Sequence, residues 1–179
     1  MSRPHHRRSF LREATALALA GTVLPAWAQP ASAAAEEARA PELPVVGSTL
    51  LVPPIALLDG TRFEPAGTDR PVLIYWWAST CPFCALQSPA MEAFWREHRG
   101  RFHFLGLSID RRADLARAYL SSRGYTFPSA WASPEWRKQF PKPKGLPITI
   151  VLDRQGKVLA AERGQMFPED IAAFSAFLG

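Results

Sequence analysis

The chain of 179 residues holds two cysteines, three positions apart: Cys81-Pro82-Phe83-Cys84. Thiols at this spacing can cycle between dithiol and disulfide, supply half of a zinc site, or form an inert bridge. A structural zinc needs four ligands. There is no second C-x-x-C, and His98 and His103 are not at a standard ligand spacing. Redox chemistry is favoured over an inert bridge, and the flanks agree with it. The apolar run Val72 to Trp77 reads as a strand buried on both faces. Leu86, Met91, Phe94 and Trp95 then recur at helical spacing. A C-x-x-C between strand and helix sits where unpaired N–H groups and the helix dipole favour a thiolate, the species that attacks disulfides.

The remaining elements follow from pattern. Leu50 to Leu58 is apolar and ends at an Asp59-Gly60 turn, after which Thr61 to Phe63 can return as a hairpin partner. The helix from Cys81 contains Pro89, which predicts a kink, and ends near His98-Arg99-Gly100. Phe102 to Ile109 reads as a strand and Asp110 as the N-cap of the helix that stops at Gly124. Ser133-Pro134 caps a short helix carrying Trp136 and Phe140. Ile148 to Leu152 and Lys157 to Ala161 form a hairpin about Asp153-Arg154-Gln155-Gly156, and Pro168-Glu169-Asp170 opens the last helix. Helical crossovers predict parallel pairing first, and the tight turn predicts antiparallel pairing later. The expected fold is α/β, a mixed sheet with helices on both faces.

Residues 1–28 read as an export signal rather than fold. Arg3, Arg7, Arg8 and Arg12 form a basic start, Ala14 to Leu24 a short apolar stretch, and Ala26-Trp27-Ala28 a cleavage site. Arg7-Arg8-Ser9-Phe10-Leu11-Arg12 matches the twin-arginine pattern better than an ordinary secretory signal. The expected location is the periplasm, where disulfide chemistry is permitted. Setting this segment aside lowers the formal charge from +5 to +2, which removes the case for nucleic acid or acidic lipid as a partner. Residues 29–44, rich in Ala, Pro and Glu, read as a flexible linker, and residues 45–179 as one domain, expected to be a monomer.

Trp77-Ala78-Ser79-Thr80-Cys81-Pro82-Phe83-Cys84 resembles the active-site signature of the thioredoxin family, and Gly145-Leu146-Pro147-Ile148-Thr149 resembles its cis-proline loop. The 63 positions between Cys84 and Pro147 exceed the thioredoxin interval, which resembles the TlpA/ResA branch with its inserted βα unit. Tyr125-Thr126-Phe127-Pro128 and the last hairpin resemble the ScsD-like subgroup. The resemblance implies a thioredoxin-like fold and a thiol:disulfide oxidoreductase with no cofactor beyond its redox-active disulfide and no metal. It implies Cys81 as the exposed attacking thiol and Cys84 as the resolving one. Leu146, Pro147, Phe83, Pro82 and Trp77 become the expected client-binding residues, with Trp76 and Trp77 shielding the sulfurs. The Leu146 backbone would pair with an extended client strand.

The sequence departs from the family at Thr80, where a Trp usually precedes the first Cys, and at Tyr75 and Gln87, where relatives carry carboxylates that serve the second Cys. The Tyr75 hydroxyl or water is left as proton acceptor. Phe83 provides no charge to stabilise a thiolate, which favours a reductant over a strong oxidant. The resemblance implies clients with periplasmic thiols or disulfides, in cytochrome c maturation or at copper-site and stress-related thiols. It also implies recharging by a DsbD-like membrane thiol reductant. Two other readings stand beside this one: a disulfide-forming oxidant, and a copper-delivery protein on the same fold.

Overall fold

The computed structural model describes residues 29–65 and 68–178, so the expected export signal lies outside the described residues. The elements are α1 (Gln29–Arg39), β1 (Ile55–Ala56), β2 (Arg62–Phe63), β3 (Val72–Trp77), α2 (Pro82–His98), β4 (His103–Ser108), α3 (Ala113–Arg123), β5 (Ser129–Trp131), α4 (Pro134–Arg137), β6 (Ile148–Leu152), β7 (Val158–Arg163) and α5 (Pro168–Ala173), followed by a 3-10 turn, Phe174–Phe177.

Five strands form one sheet in the order β5-β4-β3-β6-β7. β3 is central, parallel to β4 and antiparallel to β6. All six of its side chains are buried, as continuous apolarity requires of a strand covered on both faces. The thioredoxin-like fold and its inserted βα unit are both present: β5 and α4 lie between the C-x-x-C helix and the hairpin of β6 and β7.

Alternation along β3 sorts its residues between two cores. Leu73, Tyr75 and Trp77 pack with Cys84, Met91 and Phe94 of α2, Ala116 of α3 and Ile171 of α5. Ile74 and Trp76 pack on the other face with Val52, Ile55, Phe140 and, at its edge, Trp136 of α4. Helices therefore cover both faces, but unequally. Two successive right-handed crossovers running in one direction, β3 to β4 to β5, put α2 and α3 on the same face. The opposite face is closed by the short α4 and by chain from residues 43–63.

Three segments differ from what local pattern predicts. The apolar stretch from Leu50 yields only the two-residue β1, paired with β2 through Ile55 and Phe63. Two prolines, Pro53 and Pro54, interrupt it and lack the N–H a ladder needs. The strand of the inserted unit, β5, carries no local pattern to place it; three residues after Pro128 are too short to show a period. The linker expected over residues 29–44 carries secondary structure. Gln29–Arg39 is helical, and the segment is pinned by side chains: Glu36 to Arg137, Glu37 to Lys142, and Glu42 to Lys144 and Arg163.

Candidate active site

Strand β3 ends at Trp77, and a tight turn, with the Cys81 N–H bonded to the Ala78 carbonyl, delivers Cys81 to the N-cap of α2. Pro82 begins the helix, where its missing N–H is one of the donors that would go unpaired anyway. The Cys84 backbone N–H donates to Cys81 Sγ at 3.2 Å. Cys81 is partly exposed and Cys84 is fully buried. Burial in that apolar shell pushes the Cys84 thiol well above its ordinary range, and the contact with Cys81 adds to the effect. The two thiols are thus chemically distinct: one is presented at a helix start, the other is held protonated beneath it.

The Leu146–Pro147 peptide bond is cis, as expected. Leu146 packs against the cluster that contains both cysteines. Phe83 is 55% exposed and Pro82 is exposed, so both can meet a client. Trp77 and Pro147 are buried. Trp77 lies in the cluster beneath the cysteines, against Tyr119 and Phe127. Trp76 cannot shield the sulfurs at all, because strand alternation sends it to the opposite face, stacked on Phe140.

The Tyr75 hydroxyl is not a free base. It lies 3.1 Å from Ser88 Oγ and donates to the Cys84 carbonyl at 3.3 Å. Burial, reinforced by Cys84, raises its pKa well above 10, so it stays protonated. Gln87, the other departure from the family, is a buried clip. Its Nε2 donates to Thr149 Oγ1 at 3.1 Å and its Oε1 accepts from the Met166 N–H at 2.8 Å. It ties α2 to the strand after the cis-proline and to the loop before α5.

Asp110 was expected to cap α3, but the N-cap is Arg112, without a side-chain bond. Instead the buried Asp110 carboxylate turns back to the active-site loop. It accepts from the Ser79 N–H at 3.0 Å, the Ser79 hydroxyl at 2.7 Å and the Ser108 hydroxyl at 2.8 Å. No local pattern signals a contact 31 residues back. On its other side α2 is fixed to the loop between α3 and β5 by its own Glu92, which accepts from Arg96, from the Thr126 N–H and hydroxyl, and from the Phe127 N–H.

The comparisons agree with this geometry. Residues 42–176 match the family model described as Redoxin, and the chain belongs to that family. A thioredoxin-like protein slr1139 of Synechocystis is 38% identical over 47 residues, 26% of this chain and 43% of that protein, so the match spans less than half of that relative. The thiol:disulfide interchange protein DsbE homolog of Paracoccus denitrificans is 27% identical over 135 residues, 72% of this chain and 68% of that protein. The crystal structure of StoA from Bacillus subtilis superposes with a TM-score of 0.61 at 18% identity, covering 74% of this chain and 99% of that one. Family, fold and the paired thiols define a thiol:disulfide oxidoreductase. Among the described residues, no group of three or more His, Cys, Asp or Glu is placed to hold a metal ion.

Proposed function

We propose that this protein is a periplasmic disulfide reductant of the TlpA/ResA type, close to the ScsD-like subgroup. The observation that carries the exchange chemistry is the asymmetry of the thiols: Cys81 partly exposed at a helix N-cap, Cys84 buried and protonated below it. In the proposed cycle the Cys81 thiolate attacks one sulfur of a client disulfide. A mixed disulfide forms and the second client sulfur leaves as a thiolate. Cys84 gives up its proton to water and attacks Cys81 Sγ. The client's remaining thiolate leaves, and Cys81 and Cys84 are oxidised to a disulfide while the client gains two thiols. A DsbD-like membrane dithiol then returns two electrons. The twin-arginine signal supports the location, and the uncharged Phe83 between the cysteines supports the reducing direction.

The test is equilibration with glutathione, read by the fraction of oxidised protein. A potential well below the about −120 mV of a DsbA-like oxidant supports a reductant. A value at or above that level makes the protein an oxidant.

A further inference from the structure

A cleft of about 1000 Å³ opens past the end of β4, where the Ile109 N–H bonds the Trp77 carbonyl at the foot of the redox loop. Ile109, Pro134 and Pro141 contribute apolar lining, and α1 forms one wall. Two of its lining residues adjoin the active-site loops. Arg111 on its rim follows Asp110, the residue that holds Ser79, and Lys142 on its other side donates to the Gly145 carbonyl, one residue before Leu146.

The charges lining the cleft are not balanced. Glu36 is engaged by Arg137, and Glu37 by Lys142 and the Gly145 N–H. Arg39, Arg111 and Lys138 are exposed, and among the described residues their side chains have no hydrogen-bond or ion-pair partner. Three uncommitted cations beside apolar lining, one residue from Asp110 and one contact from Gly145, match an anionic, partly apolar peptide rather than a small ion.

We propose that this cleft receives an acidic segment of the client protein, adjacent in sequence to the cysteine being exchanged. The proposal rests on the disulfide-exchange reading above and assigns that site its substrate class. Complementary charge of this kind steers encounter and fixes register, and it weakens with salt.

The test uses peptides of one sequence, each with a single cysteine in mixed disulfide with 2-mercaptoethanol and flanked by a run of Asp, Ser or Lys. The reduced protein acts on each, and every rate is divided by that peptide's rate with dithiothreitol, which removes intrinsic reactivity. The Asp peptide is expected to react about tenfold faster than the Lys peptide at low ionic strength, and the ratio should approach one near ~0.5 M salt. Arg111→Glu combined with Lys138→Glu should invert the preference within a single preparation. Equal rates for the Asp and Lys peptides, or a ratio unchanged by the double substitution, overturn the acidic-client proposal and leave disulfide exchange standing. Failure to reduce any of the peptides overturns both.

Discussion

The carboxylate of Asp110 grips Ser79 twice, through its N–H at 3.0 Å and its hydroxyl at 2.7 Å, and so ties the end of β4 to the loop that presents Cys81. The same residue takes the Ser108 hydroxyl, and its carbonyl accepts from Trp131 Nε1 at 2.7 Å. One buried acid therefore joins β4, β5 and the redox loop.

Replacing Asp110 by Ala strands three donors in a mostly buried setting. The expected loss is about 2–3 kcal/mol of stability, since hydrogen bonds to a charged group each contribute roughly 1.5–3 kcal/mol and some will be recovered by water. Urea denaturation of the reduced protein reads it. A loss within about 0.5 kcal/mol, the range of an ordinary surface change, would show that the loop is held by other means.

Cys84→Ala should accumulate mixed disulfides with client proteins through Cys81, because the thiol that resolves them is gone. Cys81→Ala should accumulate few, since Cys84 is buried. Non-reducing electrophoresis distinguishes the two, and equal trapping by both variants would sink the assigned roles.

The pH behaviour of the reduced protein follows from Cys84. Its folded-state pKa is raised, so the native state binds that proton more tightly than the unfolded chain. The stability this contributes is complete below the unfolded thiol value of about 8.5 and is lost as pH rises beyond it. The disulfide form has no such proton and should not show the loss. Chemical denaturation of both forms across alkaline pH checks this. Alkylation near pH 8 should also modify Cys81 at least about tenfold faster than Cys84.

Glu92 provides an acid-side counterpart. Burial alone would raise its pKa, but hydrogen bonds from Thr126, Arg96 and Phe127 outweigh it and the value is lowered. The corresponding stability is present above the unfolded value of about 4.3 and disappears as pH falls through the lower folded value. Glu92→Gln should cost about 2–3 kcal/mol at neutral pH, from donors left facing an amide. Its deficit should shrink as wild type and variant are compared at progressively lower pH. A deficit constant from neutral pH to pH 3 would mean that the charge is irrelevant.

The parts of the fold legible in sequence are those with local cause. β3 is a six-residue apolar run, α2 starts at a proline after a capping residue, and Leu146-Pro147 stands before an apolar strand. What the sequence hid depends on distant partners. Asp110 sits where a helix cap is expected, and only the folded chain brings Ser79 to it. Residues 29–44 have the composition of a linker, yet Glu36, Glu37 and Glu42 each meet cations more than 100 positions away. Trp76 and Trp77 are adjacent in sequence and look equivalent beside the cysteines. The pleat sends one toward Cys84 and the other toward Phe140. Tyr75 reads as a possible base until burial and its bond to the Cys84 carbonyl remove it.

The two ends of the described chain are not equivalent as points of attachment. Phe177 and Leu178 lie beside Asp69 to Pro71 and Gly100, at the start of β3, whereas Cys81 follows its far end. A strand rises about 3.3 Å per residue, so β3 separates the two by roughly 17 Å. Helix α1 instead forms a wall of the cleft that Ile109, Arg111 and Lys142 line. A dye, an affinity handle or a solid support joined after residue 178 leaves Cys81 facing open solution. Under the proposal above, a group attached to α1 near Arg39 stands at the cleft that receives the client's acidic segment, and an assay built that way would measure the obstruction along with the chemistry.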